Sequence, residues 1–168
     1  IAENIGINIL NPSGTIKLDL NSDGLVDFIS GQTNIRNSSI PTRLYVFENI
    51  TKRHQRKSIR FFLEGDNANS NGIGAMIILK TNKNIYRQWV EYSYGAQSSQ
   101  NEAGIHFGIG NELLDYVEVR WPISLKNKHG KNSLVFKKYD LSKFDYNTHF
   151  DVTLCESGRY MGGKGNCN

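Results

Sequence analysis

An acidic turn between two alternating stretches constrains the fold of this chain more than any other feature. Residues 16–28 read I-K-L-D-L-N-S-D-G-L-V-D-F, with oxygen donors at positions 1, 3, 5, 7 and 9 of a tight loop. In that order the donors are Asp19, Asn21, Asp23, the backbone carbonyl of Leu25, and Asp27. Gly24, at position 6, can take the positive φ that a sharp turn requires. Three carboxylates in so small a loop repel one another unless a hard cation lies between them, so the segment predicts a Ca²⁺ site.

A metal-free turn and an EF-hand are the two competing structures for this loop. Asn, Asp and Gly dominate turns of every kind, so a polar turn without metal stays open as an alternative. An EF-hand requires a bidentate Glu at position 12, where this chain has Ser30, and it requires flanking helices. Apolar residues instead alternate with polar ones over residues 16–20 and 26–28, which predicts a strand on each side of the loop. An EF-hand is therefore rejected.

The rest of the chain also favours strands. From Ser58 onward, short segments that are rich in β-branched and aromatic residues or alternate with period two are separated by Asn- and Gly-rich turns, and helical periodicity is nearly absent. The segments are 58–64, 75–81, 86–94, 105–109, 116–121, 134–138 and 150–154. Many short strands at this spacing predict an all-β protein, an antiparallel β-sandwich of jelly-roll type preceded by the strand–loop–strand unit.

Two family resemblances rest on these segments. Residues 16–28 and the strand-like T-R-L-Y-V-F-E-N at 42–49 resemble the calcium loop and following strand of FG-GAP/VCBS repeats, the blades of integrin-type β-propellers. Four later motifs, in order, resemble an ASPIC/UnbV domain: N-S-N-G-I-G-A-M-I within 65–77, Y-G-A-Q-S-S-Q at 94–100, H-F-G-I-G at 106–110 and D-Y-V-E-V-R-W-P at 115–122.

Together the two resemblances imply a cartilage acidic protein-like architecture. Residues 1–54 would form a blade-like unit with its calcium loop, and residues 55–168 an ASPIC/UnbV-like sandwich. No second copy of the loop occurs, and a single blade cannot bury both of its faces. Either further blades precede this segment in a longer protein, or the unit packs on the domain that follows. Proteins of this architecture are secreted or cell-surface proteins, and the resemblance implies no enzymatic activity.

The two cysteines suggest an oxidising compartment. Cys155 and Cys167 bracket a Gly-rich segment and lie in neither a C-x-x-C motif nor a zinc-ligand spacing. A disulfide that closes this short loop would stabilise the fold by roughly 2–3 kcal/mol in the chain-entropy model. Two free thiols are the alternative. A bridge, together with a weak structural Ca²⁺ site, predicts an extracellular or cell-surface location.

Composition argues against two classes of partner. The net charge is only +4, and the two basic clusters, at 52–57 and 126–131, are more typical of solvated loops than of a nucleic-acid surface. No apolar run approaches the roughly 18–20 residues of a membrane span. Neither nucleic-acid binding nor membrane insertion is expected.

No pattern in the chain indicates catalysis. Nucleophile-elbow, zinc-protease and phosphate-binding motifs are all missing from the sequence. His106 follows Ile105 in an alternating segment, so a structural role is expected for it. Four glutamates could in principle supply an acid–base pair, but their spacing singles out none: Glu91, Glu102, Glu112 and Glu118. We therefore predict a protein that is not an enzyme.

Binding is the better supported function. Aromatic and amide side chains of the kind that stack on sugars and hydrogen-bond to them are predicted to line a ligand site: Tyr92, Tyr94, Gln97, Ser98, Ser99 and Gln100. Trp89 and Trp121 could belong to such a site or to the core. Asn37 and Asn49 begin N-glycosylation acceptor patterns.

Three functions remain open. The first is an extracellular, calcium-stabilised adhesion or interaction module that binds a protein or a glycan. The second is a carbohydrate-binding module of a surface protein. The third is a structural subunit that joins other copies of itself by β-strand addition.

Overall fold

The structure is a computed structural model that divides into two compact units. One unit comprises residues 1–50 and 93–102, and the other comprises residues 51–92 and 103–168. Within these ranges the structure describes residues 7–51, 57–91, 93, 99–126, 132–142, 144 and 150–167. The sequence predicted a single boundary between residues 54 and 55, and nothing in its pattern indicated that 93–102 would group with the first unit.

The first unit contains a three-stranded antiparallel sheet. Its strands, in spatial as well as chain order, are β1 (Pro12–Leu18), β2 (Asp27–Gln32) and β3 (Arg43–Phe47). Leu18 pairs with Asp27, so the acidic loop connects two adjacent strands, as predicted. The rings of Phe28 and Phe47 stack with their centroids 4.6 Å apart across β2 and β3, a contact that stabilises this pair of strands.

The second unit contains two four-stranded sheets. The first, which we call the β4 sheet, has the order β11 (Tyr160–Gly162), β10 (Phe150–Cys155), β4 (Lys57–Glu64), β7 (Ile105–Gly110). The second, the β8 sheet, has the order β6 (Ile85–Trp89), β5 (Met76–Thr81), β8 (Leu114–Lys126), β9 (Asn132–Asp140). Every described element is a strand, which confirms the all-β prediction. One pairing departs from an antiparallel sandwich, because β10 runs parallel to β4.

One hydrophobic core joins the two sheets. Alternate side chains of the central strands point inward and are fully or almost fully buried: Ile59, Phe61 and Leu63, Ile77 and Leu79, Val117, Val119 and Trp121, Val152 and Leu154. Burying a large apolar side chain contributes about 1.5–3 kcal/mol, so this core provides most of the unit's stability. Because each strand alternates, the side chains between these residues face outward and are available to form surfaces.

Candidate functional site

The acidic loop of residues 19–26 is organised by its own carboxylates. The Oδ1 of Asp19 accepts the N–H of Asp23 and its Oδ2 accepts the N–H of Gly24, both at 2.9 Å. Asp23 in turn accepts the N–H of Leu25 at 2.8 Å. Gly24 has φ +83°, the left-handed conformation expected for position 6. The chain is therefore wrapped around its carboxylates, as the spacing predicted.

Asp27 anchors the loop to the sheet. Its side chain is only 1% exposed, and its two oxygens accept the N–H groups of Leu20 (2.9 Å) and Asn49 (2.7 Å). A buried carboxylate needs such donors, because an uncompensated charge is costly in the protein interior. Asn21 accepts the N–H of Asp23 at 3.1 Å and donates to Glu48 at 2.9 Å. All five predicted ligand residues thus lie in or directly beside one turn.

The predicted ligand atoms are of the kind that Ca²⁺ binds. They consist only of carboxylate, amide and backbone oxygens, and a carboxylate oxygen that accepts one N–H keeps a further lone pair for a cation. Within the part of the chain that the structure describes, no group of three or more His, Cys, Asp or Glu side chains is gathered so that it could hold a metal ion. The carboxylates turn toward backbone N–H groups instead, and calcium binding stays a prediction.

Most of the predicted ligand loop lies outside the described residues. This applies to Tyr92, Tyr94, Gln97 and Ser98. Ser99 is described and is 6% exposed, which leaves little of its side chain accessible to a ligand. Gln100 is exposed and forms an isolated antiparallel bridge with Ser93.

The outer face of the β8 sheet brings together exposed side chains that the sequence left apart. Strand pairing places Trp89, Met76, Arg120 and Phe136 in one row across all four strands. Trp89 is 48% exposed and Phe136 is 51% exposed. Three inter-strand spacings separate them, about 14 Å. An arginine and a methionine between two exposed aromatic rings make a composition typical of binding surfaces rather than of solvated sheet faces.

The neighbouring rows of this face are charged. One row contains Arg87, Ile78, Glu118 and Lys138, and the next contains Ile85, Lys80, Tyr116 and Asp140. The ammonium group of Lys138 lies 3.6 Å from the centre of the Tyr116 ring, a close cation–π contact. The row that contains Trp89 and Phe136 is thus bordered by side chains of both charge signs. We call the three rows together the Trp89 face.

Trp121 belongs to the core and Trp89 does not. Trp121 is completely buried with Val117 and Val119, as the alternation of β8 predicted. In β6 the pattern was ambiguous, because both of its faces mix polar and apolar residues. Tyr86 and Gln88 point inward, and the amide of Gln88 donates to the backbone oxygen of His106 at 2.7 Å. That inward orientation turns Trp89 outward.

Sequence reasoning missed the role of Glu156. Its Oε2 accepts three consecutive backbone N–H groups, those of Asp66 (2.7 Å), Asn67 (2.8 Å) and Ala68 (2.9 Å). The side chain is 4% exposed, and burial alone would raise its pKa. The hydrogen bonds to this turn outweigh burial, so the pKa of Glu156 lies below its usual range. Because 88 or more residues separate the partners, no local pattern could reveal this contact.

The predicted disulfide between Cys155 and Cys167 is present. The two Cα atoms lie 5.8 Å apart, within the usual range for a bridge, and both residues are buried. Next to the bridge, the hydroxyl of Tyr139 donates to the backbone oxygen of Cys155 at 2.6 Å. Burial raises the pKa of Tyr139, so this phenol stays protonated at physiological pH. Both contacts attach β10 to its surroundings.

A second carboxylate, Glu112, closes the turn between β5 and β6. It accepts hydrogen bonds from the Thr81 hydroxyl (2.5 Å), the Asn84 amide (2.6 Å) and the Tyr86 hydroxyl (3.0 Å). The hydrogen bond from Thr81 lowers the pKa of Glu112 most, and the bonds from Asn84 and Tyr86 lower it further. Together they outweigh desolvation, which would raise it. The carboxylate of Glu112 therefore has a structural role in this turn. None of its three hydrogen-bond partners is a second carboxylic acid that could form an acid–base pair with it.

The two glycosylation patterns differ in accessibility. Asn37 is exposed, and its side-chain oxygen accepts the N–H of Ser39 at 3.0 Å in a tight turn. Asn49 is half-buried, and its side-chain amide donates to the backbone oxygen of Val26 at 3.4 Å. Of the two, Asn37 is the better placed to carry a glycan.

These features define an all-β protein with an acidic-loop sheet and a two-sheet sandwich closed by one disulfide. Comparison with known families identifies part of the second unit: residues 65–143, which include β5 to β9, match the model of the family described as ASPIC and UnbV. That match confirms the ASPIC/UnbV resemblance and extends it into β9. No curated protein matches the chain. The FG-GAP/VCBS resemblance of residues 16–28 remains a prediction. Among the described residues, no helix is long and apolar enough to span a membrane.

Proposed function

We propose that this protein is a non-enzymatic interaction module that acts outside the cell and binds its partner through the Trp89 face. The observation that carries the proposal is the row of Trp89, Met76, Arg120 and Phe136 on one outward sheet face. Tryptophan and arginine side chains contribute most of the binding energy at many interfaces. The disulfide supports an oxidising location.

Removing the aromatic ends of this row should weaken binding at least tenfold. Labelled protein would be applied to arrays of glycans and of purified extracellular matrix proteins. We expect the wild type to bind at least one component saturably, and the double variant Trp89→Ala/Phe136→Ala to bind it at least tenfold more weakly, since two buried rings would be lost from the interface. The matched control is Leu113→Ala, a similarly exposed residue outside the three rows of this face. Unchanged affinity of the double variant would contradict the proposal.

A carbohydrate ligand is the second candidate, and the separation of the two rings favours it. Trp89 and Phe136 stand about 14 Å apart across a sheet face, so each could stack on a different ring of one linear glycan. Binding confined to glycans in the array experiment would support this candidate, and binding confined to proteins would exclude it.

We further propose that Ca²⁺ stabilises the first unit through its acidic loop. Saturating Ca²⁺ at about one hundred times its dissociation constant would stabilise the folded unit by about 2.7 kcal/mol, so EDTA should lower its melting temperature by about 5 °C or more. Asp23→Ala should remove this sensitivity, because it takes away one of the three carboxylates of the predicted ligand set. Asp115→Ala, the same charge change at an exposed site in the second unit, should retain it. Identical melting curves of the wild type with and without EDTA would rule out the metal.

A further inference from the structure

A cavity of about 320 Å³ opens on the outer face of the β4 sheet, the sheet that does not carry the Trp89 face. Its walls come from strands β4 and β10, from Ser70 and Asn71, and from the segment enclosed by the disulfide. The lining residues that carry the argument are Phe62, Glu64, Asn71, Thr153, Lys164 and Asn166. We call this cavity the Phe62 pocket.

An aromatic ring and a cation meet at the Phe62 pocket. Phe62 points outward because its neighbours Phe61 and Leu63 point into the core. The ammonium nitrogen of Lys164 lies 5.6 Å from the centre of the Phe62 ring, and the guanidinium carbon of Arg60 lies 5.3 Å from it. The pocket thus combines an aromatic surface with the ammonium group of Lys164, and the carboxylate of Glu64 lies in the same lining.

Lys164 supplies the charge that a ligand could use. Arg60 is already neutralised by Asp151, with two parallel contacts of 2.8 Å. Among the described residues no carboxylate forms an ion pair with Lys164. The rest of the pocket lining is largely polar and includes the amides of Asn71 and Asn166 and the carboxylate of Glu64.

The disulfide loop holds this wall in place. The hydroxyl of Thr153 donates to the backbone oxygen of Gly163 (2.8 Å) and accepts the N–H of Gly165 (2.9 Å). Glu64 accepts the N–H of Cys167 at 2.7 Å. Lys164 and Asn166 lie between these attachment points, inside the loop that the bridge to Cys155 closes. The bridge fixes this segment to β10, so reduction removes one of the constraints that order the wall.

We propose that the Phe62 pocket binds a single acidic sugar unit, a hexuronate, and does so only while the disulfide is closed. The carboxylate of the sugar pairs with Lys164, its C–H face packs on Phe62, and its hydroxyls hydrogen-bond to Glu64 and the two asparagines. The volume of about 320 Å³ is at the lower end of the range for ligand pockets, about 300–1,000 Å³, which suits one sugar ring. This site is separate from the Trp89 face, so the two proposals can fail independently.

Titration with sodium glucuronate, followed by two-dimensional NMR of the ¹⁵N-labelled full chain, tests the proposal. We expect saturable shifts at the Gly163, Gly165 and Asn166 amides, and weaker binding of glucose at equal ionic strength. Lys164→Gln should raise the Kd for glucuronate about tenfold or more, since a charge-assisted hydrogen bond contributes about 1.5–3 kcal/mol. Lys83→Gln, an exposed lysine elsewhere in the unit, should leave the Kd unchanged.

Three outcomes would overturn the proposal: equal binding of glucose and glucuronate, an unchanged Kd in Lys164→Gln, or binding of glutamate without glucuronate, which would indicate a different ligand class. The redox part is tested with Cys155→Ser/Cys167→Ser, which should lose the glucuronate shifts while its circular dichroism stays that of a β protein. Retained binding contradicts the redox requirement. If this variant does not fold, Phe62→Leu and Lys164→Gln in the oxidised protein still decide whether the pocket binds.

Discussion

Glu156→Ala is expected to lower the free energy of unfolding by about 2–4 kcal/mol. The substitution leaves the N–H groups of Asp66, Asn67 and Ala68 without the carboxylate oxygen that accepts all three. Hydrogen bonds to a charged group contribute about 1.5–3 kcal/mol, and this carboxylate accepts three of them. Urea unfolding of the two proteins, analysed at constant m-value, measures the difference.

Two variants separate this effect from a general loss of charge. Glu91→Ala, an exposed glutamate of the same unit, should change stability by less than about 0.5 kcal/mol. Glu156→Gln keeps the size and one acceptor oxygen, so an intermediate loss is expected. If Glu156→Ala were no less stable than Glu91→Ala, the three hydrogen bonds would not hold the turn.

The same carboxylate makes stability depend on pH. The folded-state pKa of Glu156 lies below that of the unfolded chain, about 4.3. Its contribution is therefore fully present above about pH 4.3 and is lost as the pH falls through the folded-state pKa. Glu156→Gln should lack this part of the acid destabilisation. Parallel stability profiles of the wild type and this variant from about pH 6 to about pH 2 would argue against the assignment.

Reducing the disulfide between Cys155 and Cys167 should destabilise the second unit by about 2–4 kcal/mol. The bridge closes a short loop, since the two cysteines are 12 positions apart, and it restricts the unfolded chain. Its loss also releases the backbone contacts that attach Gly163, Gly165 and Cys167 to the β4 sheet. Thermal unfolding with and without reductant measures the change, and the intact mass should rise by two hydrogens on reduction.

The double variant Cys155→Ser/Cys167→Ser is the control for reductant. Its melting temperature should match that of the reduced wild type and should not respond to reductant. A wild type whose mass and melting temperature are both insensitive to reductant would show that the bridge does not form in solution.

Local pattern was sufficient for much of this fold. Alternation of apolar residues places Val117, Val119 and Trp121 on one buried face, because a strand turns successive side chains to opposite sides. The spacing of the acidic loop predicted its turn, and Gly24 has the positive φ that the turn requires. Since the chain has only two cysteines, a single intrachain bridge is possible. Each of these inferences involves neighbours in the chain or, for the cysteines, a choice between one bridge and two free thiols.

Contacts between residues that are distant in the chain could not be predicted from local sequence patterns. The parallel pairing of β10 with β4 places Phe150 opposite Ile59, although the two residues are far apart in the chain. Strand alternation does not indicate which strands pair or in which direction they run. In the sequence, nothing distinguishes Glu156 from a surface glutamate. The pairing of β10 with β4 places it beside the turn at Asp66–Ala68.

The sequence by itself therefore determined the strands and the acidic turn, because these follow from period-two alternation and from glycine's conformational freedom. It also indicated the disulfide, with two free thiols as the alternative until the structure showed the bridge. Only the tertiary structure decided which outward residues share a surface. Strand order and register place Trp89 and Phe136 on one face. The segment that the disulfide closes brings Lys164 to Phe62. These contacts depend on how the whole core packs, because the packing energy comes from residues that are distant in the chain and cannot be read from a short segment.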